Sequence, residues 1–204
     1  MRHIRWYSVV LSSILLAACA SEDVDTDVDH IEAAVSSRSC PAGVPAALAP
    51  AADQDLAFVL HATGVQKYTC AATATGGYAW TFVAPEADLY RTTCQRHIVG
   101  THYAGPTWEY QDGSTVVGAR LAGATVDATA IPWLLLKAVS HGGSSGRMTD
   151  VTAIQRLDTV GGLAPATGCD ATTVGAAADV AYSADYFFYR TRSAHPERNL
   201  RCGG

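Results

Sequence analysis

The sequence predicts an all-β domain, mainly antiparallel, folded as a β-sandwich or flattened barrel of about nine strands with few helices. Apolar and polar residues alternate with the period of two that half-buried strands require. Glycine, proline and aspartate interrupt the alternating segments at short intervals, as in all-β domains with tight turns. No long segment has the apolar spacing of an amphipathic helix, and no internal repeat is visible.

Nine segments carry the strand pattern. Thr63-Gly64 is a predicted turn, and Asp112-Gly113 is the strongest short-range hairpin signal in the chain. The run that starts at Trp133 is nearly continuously apolar, which fits a fully buried strand or a short core helix. Pro132 before this run and Gly142-Gly143 after it favour the strand. The predicted strands are Leu56–Leu60, Val65–Ala71, Tyr78–Phe82, Ile98–Tyr103, Thr107–Gln111, Thr115–Leu121, Trp133–Ser140, Val151–Val160 and Ala181–Arg192.

Residues 1–18 have the features of a bacterial lipoprotein signal peptide. Arg2 and Arg5 give it a positive start, and Val9–Ala18 is an apolar run that is too short to span a bilayer. Cys19 follows directly, where a lipoprotein needs a thiol to carry its diacylglycerol. We therefore expect a lipoprotein anchored through acyl chains such as palmitate. It should face outside the cytoplasm, in the outer membrane where the host has one.

Residues 19–38 are predicted to be a disordered tether from the lipidated cysteine to the domain. Six acidic side chains fall between positions 22 and 32, with almost nothing apolar to bury. Residues 39–204 form a single exported β domain by length. The formal net charge of the chain is −5, and its basic residues are scattered, which excludes an obvious nucleic-acid surface.

His102 and Glu109 are the candidate pair for chemistry. They stand at the two ends of the string HYAGPTWE, and a turn at Gly105-Pro106 is expected to bring both side chains together across a hairpin. An imidazole and a carboxylate can bind a divalent metal or share acid–base work. Three further residues of suitable chemistry are His61, Asp112 and Asp185. The alternative makes His102 a hydrogen-bonded, half-buried residue and Glu109 a cap for backbone donors, and the lack of a complete ligand set favours it.

Other candidate residues have a structural and a functional interpretation. Trp108 is one of many aromatic residues that either stack on a sugar or planar ligand or, more commonly, fill a core. Gln66 and Arg156 are polar positions in predicted strands, where they specify a site or, more commonly, satisfy buried backbone groups. Gly142–Gly146 matches G-x-S-x-G, but a strand pattern rather than a helix follows it, which predicts a hairpin loop and not a nucleophile elbow.

Several segments resemble a family of exported bacterial proteins and secreted fungal proteins that is catalogued as a domain of unknown function. They include GVQKYTC (Gly64–Cys70), HYAGPTWE (His102–Glu109), AIPWLLLK (Ala130–Lys137), VTAIQRLDTVGGLAP (Val151–Pro165) and Gly168-Cys169. The resemblance covers residues 41–190. It implies a secreted, mostly β domain, and it implies no particular activity.

Five cysteines fall in residues 39–204, and an exported domain in an oxidising compartment is expected to form disulfides. No C-x-x-C spacing is present, which argues against a zinc ribbon or a thioredoxin-like site. From their positions along the chain we expect Cys70 to pair with Cys169 and Cys40 with Cys94. Cys202 is then left unpaired in the polar tail. The main alternative joins Cys40 to Cys202.

Two classes of function remain at this point. The favoured class is a binding or envelope-structural module without enzymatic activity, attached to the membrane by its lipid. Its partner is an envelope protein, a polysaccharide or a small ligand. The alternative is a metal-assisted hydrolase or lyase that uses a divalent metal with His102 and Glu109. The candidate ligand or metal site comprises His102, Trp108, Glu109, Gln66 and Arg156.

Overall fold

The computed structural model describes residues 40–95 and 97–192. The predicted signal peptide (residues 1–18), the lipidated Cys19, the tether (residues 19–38) and Cys202 lie outside the described residues. Within the described part, no helix has both the length and the apolar character needed to cross a membrane.

Eight antiparallel strands, each paired with its neighbours in chain order, close into one barrel. The first strand pairs with both the second and the eighth, so the described sheet has no free edge. The all-β antiparallel fold predicted from the alternation is confirmed, in its barrel form. The strands are β1 (Gln54–Ala72), β2 (Tyr78–Tyr90), β3 (Ile98–Tyr103), β4 (Thr107–Tyr110), β5 (Thr115–Ala124), β6 (Trp133–Gly142), β7 (Ala153–Gly161) and β8 (Ala177–Thr191).

The structure has eight strands instead of about nine, because the predicted strands Leu56–Leu60 and Val65–Ala71 form one continuous strand, β1. Thr63-Gly64 is not a turn, since β1 continues through it and pairs there with both β2 and β8. A Cβ atom at Gly64 would lie 2.1 Å from the carbonyl oxygen of Glu86 and 2.6 Å from the Cβ atom of Ala87. Glycine is therefore required at this position by the close approach of β2.

Alternation along the strands gives the barrel wall two apolar faces. The inner face packs aromatic rings from β4 and β8 into the main core. A second cluster lies on the outer face and is covered by the N-terminal arm, which contains the 3-10 turn Ala46–Leu48. Gln155 fastens this arm, because its Nε2 donates to the backbone carbonyl of Leu48 at 2.6 Å. The Tyr189 hydroxyl in turn donates to Oε1 of Gln155 at 2.5 Å.

A disulfide joins Cys70, near the end of β1, to Cys169 in the β7–β8 connection, with their Cα atoms 5.3 Å apart. This is the pairing expected from the sequence, and it ties the long connection down onto the barrel. Cys40 and Cys94 are also disulfide-bonded. The structure does not describe the bridges that these two cysteines form, so the pairing of one with the other stays a prediction.

Candidate functional site

A cavity of about 330 Å³ lies inside one end of the barrel, and its lining includes Pro106 of the β3–β4 turn. Four of the five residues predicted as a candidate site contribute to this lining: Gln66 from β1, His102 from β3, Trp108 from β4 and Arg156 from β7. These residues are far apart in the sequence. The closure of the barrel brings them together, and we refer to the cavity below as the barrel pocket.

His102 is a buried, neutral member of the pocket wall. Its ring stacks on Trp108, with centroids 4.4 Å apart and an interplanar angle of 10°. The Nδ1 atom lies 2.8 Å from the carbonyl oxygen of Thr107, which assigns the ring proton to Nδ1 and leaves Nε2 as an acceptor. Burial lowers the pKa of His102 to about 3, against the opposing effect of the Thr107 bond, and the positive charge of Arg156 lowers it further.

Glu109 lies on the other face of the barrel wall and does not meet His102. The predicted hairpin is present, but its register places Trp108 opposite His102 and Thr101 opposite Glu109. Directly opposed residues on paired strands point to the same face of the sheet, and neighbouring residues along one strand point to opposite faces. Glu109 therefore points outwards, where its Oε2 accepts a hydrogen bond from the Tyr103 hydroxyl at 2.9 Å. The expectation that His102 and Glu109 share a site is wrong, because the residue paired with His102 is Trp108, one position before Glu109.

The other residues considered as metal ligands lie elsewhere. The ring of His61 pairs with Asp185 on the outer face, with Nδ1 2.7 Å from Oδ1. Asp112 shapes the β4–β5 turn, where its Oδ1 accepts hydrogen bonds from the backbone and hydroxyl of Ser114. Within the part of the chain that the structure describes, no three histidine, cysteine or acidic side chains are grouped in a way that could hold a metal ion.

Arg156 supplies a positive charge to the pocket. Its Nε and Nη2 atoms donate to the carbonyl oxygen of Pro132, at 3.2 and 2.8 Å. It forms no ion pair with a carboxylate of the described residues. The charge opposes the pKa increase that burial causes at Tyr68, Tyr182 and Tyr186. Arg156 is thus an uncompensated cation surrounded by neutral polar groups.

Several buried polar atoms near Arg156 make no well-formed hydrogen bond to a described residue. They are Nε2 of Gln66, Nε1 of Trp108 and the hydroxyls of Tyr182 and Tyr186. The two hydroxyls still interact with each other, that of Tyr182 also with Gln66 and that of Tyr186 also with Arg156. Gln66 is only 2% exposed and Tyr186 only 1% exposed. Burial raises the pKa of both tyrosines, so each phenol keeps its proton and remains able to donate. Buried polar groups are almost always satisfied in native proteins, so this concentration in one place is unusual.

The rest of the pocket is apolar and widens towards solvent. Phe82 is 51% exposed and Val83 is 58% exposed, and both belong to the mouth. Leu134 and Leu136 of β6 form part of the wall, together with Pro85 of β2. A ligand would therefore meet hydrocarbon near the mouth and polar donors near Arg156. Such an apolar cavity with a few converging polar groups is the usual form of a small-molecule site.

Two contributions to the pocket were missed in the sequence. In the sequence Tyr186 is one of many aromatic residues, and nothing there shows that its hydroxyl lacks a well-formed hydrogen bond. Gly118 of β5 also lines the cavity, and a Cβ atom there would lie 2.9 Å from the Trp108 ring and 3.2 Å from Leu136. A glycine inside a strand pattern often marks such a close approach, and that signal was available at Gly118.

The sequence model of one protein family, described as "Protein of unknown function (DUF3455)", matches residues 50–190. The matched region contains all eight strands apart from the last residue of β8, and all the pocket residues named above. Comparisons with curated proteins and with solved structures find no match.

Proposed function

We propose that this chain, which belongs to the DUF3455 family of proteins of unknown function, is a binding protein that holds a small molecule inside its barrel. We also propose that it works as a lipid-anchored protein of the cell envelope. The barrel pocket would select and retain the ligand, and the lipid would keep the domain at the membrane.

The poorly bonded donors of the pocket are the observation that carries the binding proposal. A buried donor without a partner costs about 1–3 kcal/mol. Gln66, Trp108 and Tyr186 carry buried donors without a well-formed hydrogen bond, and all three line one cavity. Buried donors that lack good hydrogen bonds are expected at a binding site, because the ligand completes those bonds. An eight-stranded barrel also has a suitable interior, since side chains can either fill it or leave room for one small ligand.

A purely envelope-structural role would not require an internal cavity with buried polar donors. The metal-assisted hydrolase or lyase considered from the sequence needed His102 and Glu109 on one face, and the register places them on opposite faces. With its pKa lowered to about 3, His102 is also a poor acid–base catalyst near pH 7. We therefore do not propose that activity.

The envelope location is supported by the leader, by the position of Cys19 and by the disulfide chemistry. Disulfides persist in oxidising compartments, and Cys70–Cys169 is well placed to brace the pocket end of the barrel. Replacing Cys19 with alanine should abolish metabolic labelling with palmitate and release the protein from the membrane fraction. Unchanged labelling in Cys19→Ala would contradict the lipoprotein proposal.

The binding proposal can be tested with N-phenyl-1-naphthylamine, an uncharged fluorophore that brightens in apolar sites. Leu134→Trp places a larger side chain in the pocket wall, whereas Val139→Trp makes the same kind of change at a 52% exposed position of β6. We expect saturable binding at one site in the wild type and in Val139→Trp, and at least about tenfold weaker binding in Leu134→Trp. Equal binding by both variants, or no saturable binding at all, would refute an internal site.

A further inference from the structure

We propose that the ligand of the barrel pocket is a small monocarboxylic acid with an apolar body, and that Arg156 recognises its carboxylate. This inference rests on the proposed binding function and adds the chemical class of the ligand. It follows from the charge of the lining, from the buried donors that lack well-formed hydrogen bonds, and from the size and apolar character of the remaining space.

The charge of the pocket favours an anion. The lining contains two arginines, Arg156 in the wall and the exposed Arg120 at the rim, and it contains no aspartate or glutamate. Neither arginine is ion-paired with a carboxylate of the described residues. His102 is neutral and adds no charge of its own. A partly buried cation without a counter-charge is costly, and an anionic ligand removes that cost.

The buried donors without well-formed hydrogen bonds favour an acceptor-rich group close to Arg156. Gln66 Nε2 can only donate, and the protonated Tyr186 hydroxyl can donate as well. The Pro132 carbonyl accepts from Nε and Nη2 of Arg156, and the Tyr186 hydroxyl lies close enough to interact with the same guanidinium. A carboxylate has two oxygens that can accept several such bonds at once, and charge-assisted bonds are about twice as strong as neutral ones.

A single negative charge fits this pocket better than a phosphate does. Phosphate sites commonly use the N-terminus of a helix or a nest of backbone N–H groups in addition to cationic side chains. The described barrel provides one wall arginine and side-chain donors, and the only helical element in the described residues is the short 3-10 turn Ala46–Leu48 on the outer face. A carboxylate needs no more than these groups.

The remaining space favours a compact apolar body. Phe82, Leu134 and Leu136 contribute apolar side chains to the lining. Its volume of about 330 Å³ is at the low end of the range for small-molecule pockets. A medium-length acyl chain or one ring system fits this description, whereas a polysaccharide chain does not.

Two matched pairs of probes test the inference: octanoate against octanamide, and 3-phenylpropanoate against 3-phenylpropanamide. Each is titrated by calorimetry and by displacement of N-phenyl-1-naphthylamine from the full chain. We expect both acids to bind the wild type at least about tenfold more tightly than their amides, because only the acids form charge-assisted bonds with Arg156. A preference of less than about twofold would overturn the inference.

Variants identify the residue responsible for the preference. Arg156→Gln should lower the preference for acid over amide to within about twofold while N-phenyl-1-naphthylamine still binds, which shows that the pocket remains folded. Arg156→Lys should retain part of the preference, since the charge stays but the planar fork is lost. Lys137→Gln removes a positive charge from an exposed position of β6 and should retain the full preference.

The outcomes separate this inference from the proposed function. Saturable binding of N-phenyl-1-naphthylamine without any preference for the acids would overturn the carboxylate assignment and leave the binding function standing. A preference that survives in Arg156→Gln would overturn the role of Arg156. Failure of the fluorophore and of all four probes to bind would overturn both proposals.

Discussion

The hydroxyl of Tyr186 provides a direct test of whether the pocket carries unused donors. In Tyr186→Phe the ring should still pack against His102 and Trp108, whose centroids lie 5.0 and 5.2 Å from its own. Only the hydroxyl is removed, which makes no well-formed hydrogen bond although Tyr182 and Arg156 lie close to it. A buried hydroxyl without a partner costs about 1–3 kcal/mol. Nearby Tyr182 and Arg156 offset part of this cost, so the low end of the range applies. The ligand-free barrel should therefore become more stable by about 1 kcal/mol.

Tyr189→Phe is the matched control, on the same strand and three residues away. Its hydroxyl donates to Gln155 at 2.5 Å, so the same substitution there leaves a buried acceptor without its donor. This variant should become less stable by about 1–2 kcal/mol. The two substitutions delete the same atom and are predicted to change the free energy of unfolding in opposite directions.

The measurement is urea denaturation of both variants and the wild type, without ligand and with disulfides intact, supported by thermal melts. A gain of 1 kcal/mol corresponds to a rise in Tm of about 2–4 °C for a domain of this size. The acids that bind the wild type should bind Tyr186→Phe more weakly. If Tyr186→Phe loses as much stability as Tyr189→Phe, its hydroxyl is already satisfied in the empty protein and the reasoning is refuted.

Three further predictions concern stability. Cys169→Ala opens a bridge between residues 99 positions apart and should lower the free energy of unfolding by about 2–4 kcal/mol. The expected loss is below the full loop-closure free energy because other disulfides already restrict the unfolded chain. An unchanged denaturation midpoint would contradict this prediction. The pKa of His102 is about 3 in the folded protein, against an ordinary pKa of 6.5. Between pH 3 and pH 6.5 the unfolded chain therefore binds more protons than the folded protein does. The free energy of unfolding should consequently fall as the pH decreases from 6.5 towards 3. His102→Gln should flatten the pH dependence of the urea midpoint, and an equal slope in both proteins would show that other groups cause it. Deletion of residues 20–38 should leave Tm unchanged within error, because the tether is predicted to have no core to contribute; a large drop would show that it packs on the barrel.

Much of the fold was predictable because period-two alternation is a local property of the sequence. The alternation gave the strands, and Asp112-Gly113 lies in the β4–β5 turn as expected. The turn assigned to Thr63-Gly64 was wrong, since a glycine that permits close approach of a neighbouring strand has the same sequence signature as a turn glycine. Only the pairing partners distinguish the two cases.

The candidate site was predictable in part for a related reason. Gln66, His102, Trp108 and Arg156 stood out as polar or aromatic positions in strands, and all four line the barrel pocket. Glu109 was misplaced because the face of a strand residue depends on hairpin register, and a shift of one position reverses it. The poor hydrogen bonding of the Tyr186 hydroxyl depends on contacts with distant strands, which no local pattern reports.

A crystal structure of the protein with 8-bromooctanoate tests the central claim most directly, because the bromine gives an anomalous signal that locates the apolar end of the ligand. We predict one molecule inside the barrel pocket, with its carboxylate within hydrogen-bond distance of Arg156 and Tyr186. The bromine should lie among the apolar side chains that lead to Phe82 and Val83 at the mouth. An empty pocket, with bromine peaks only on the outer surface of the barrel, would contradict the claim.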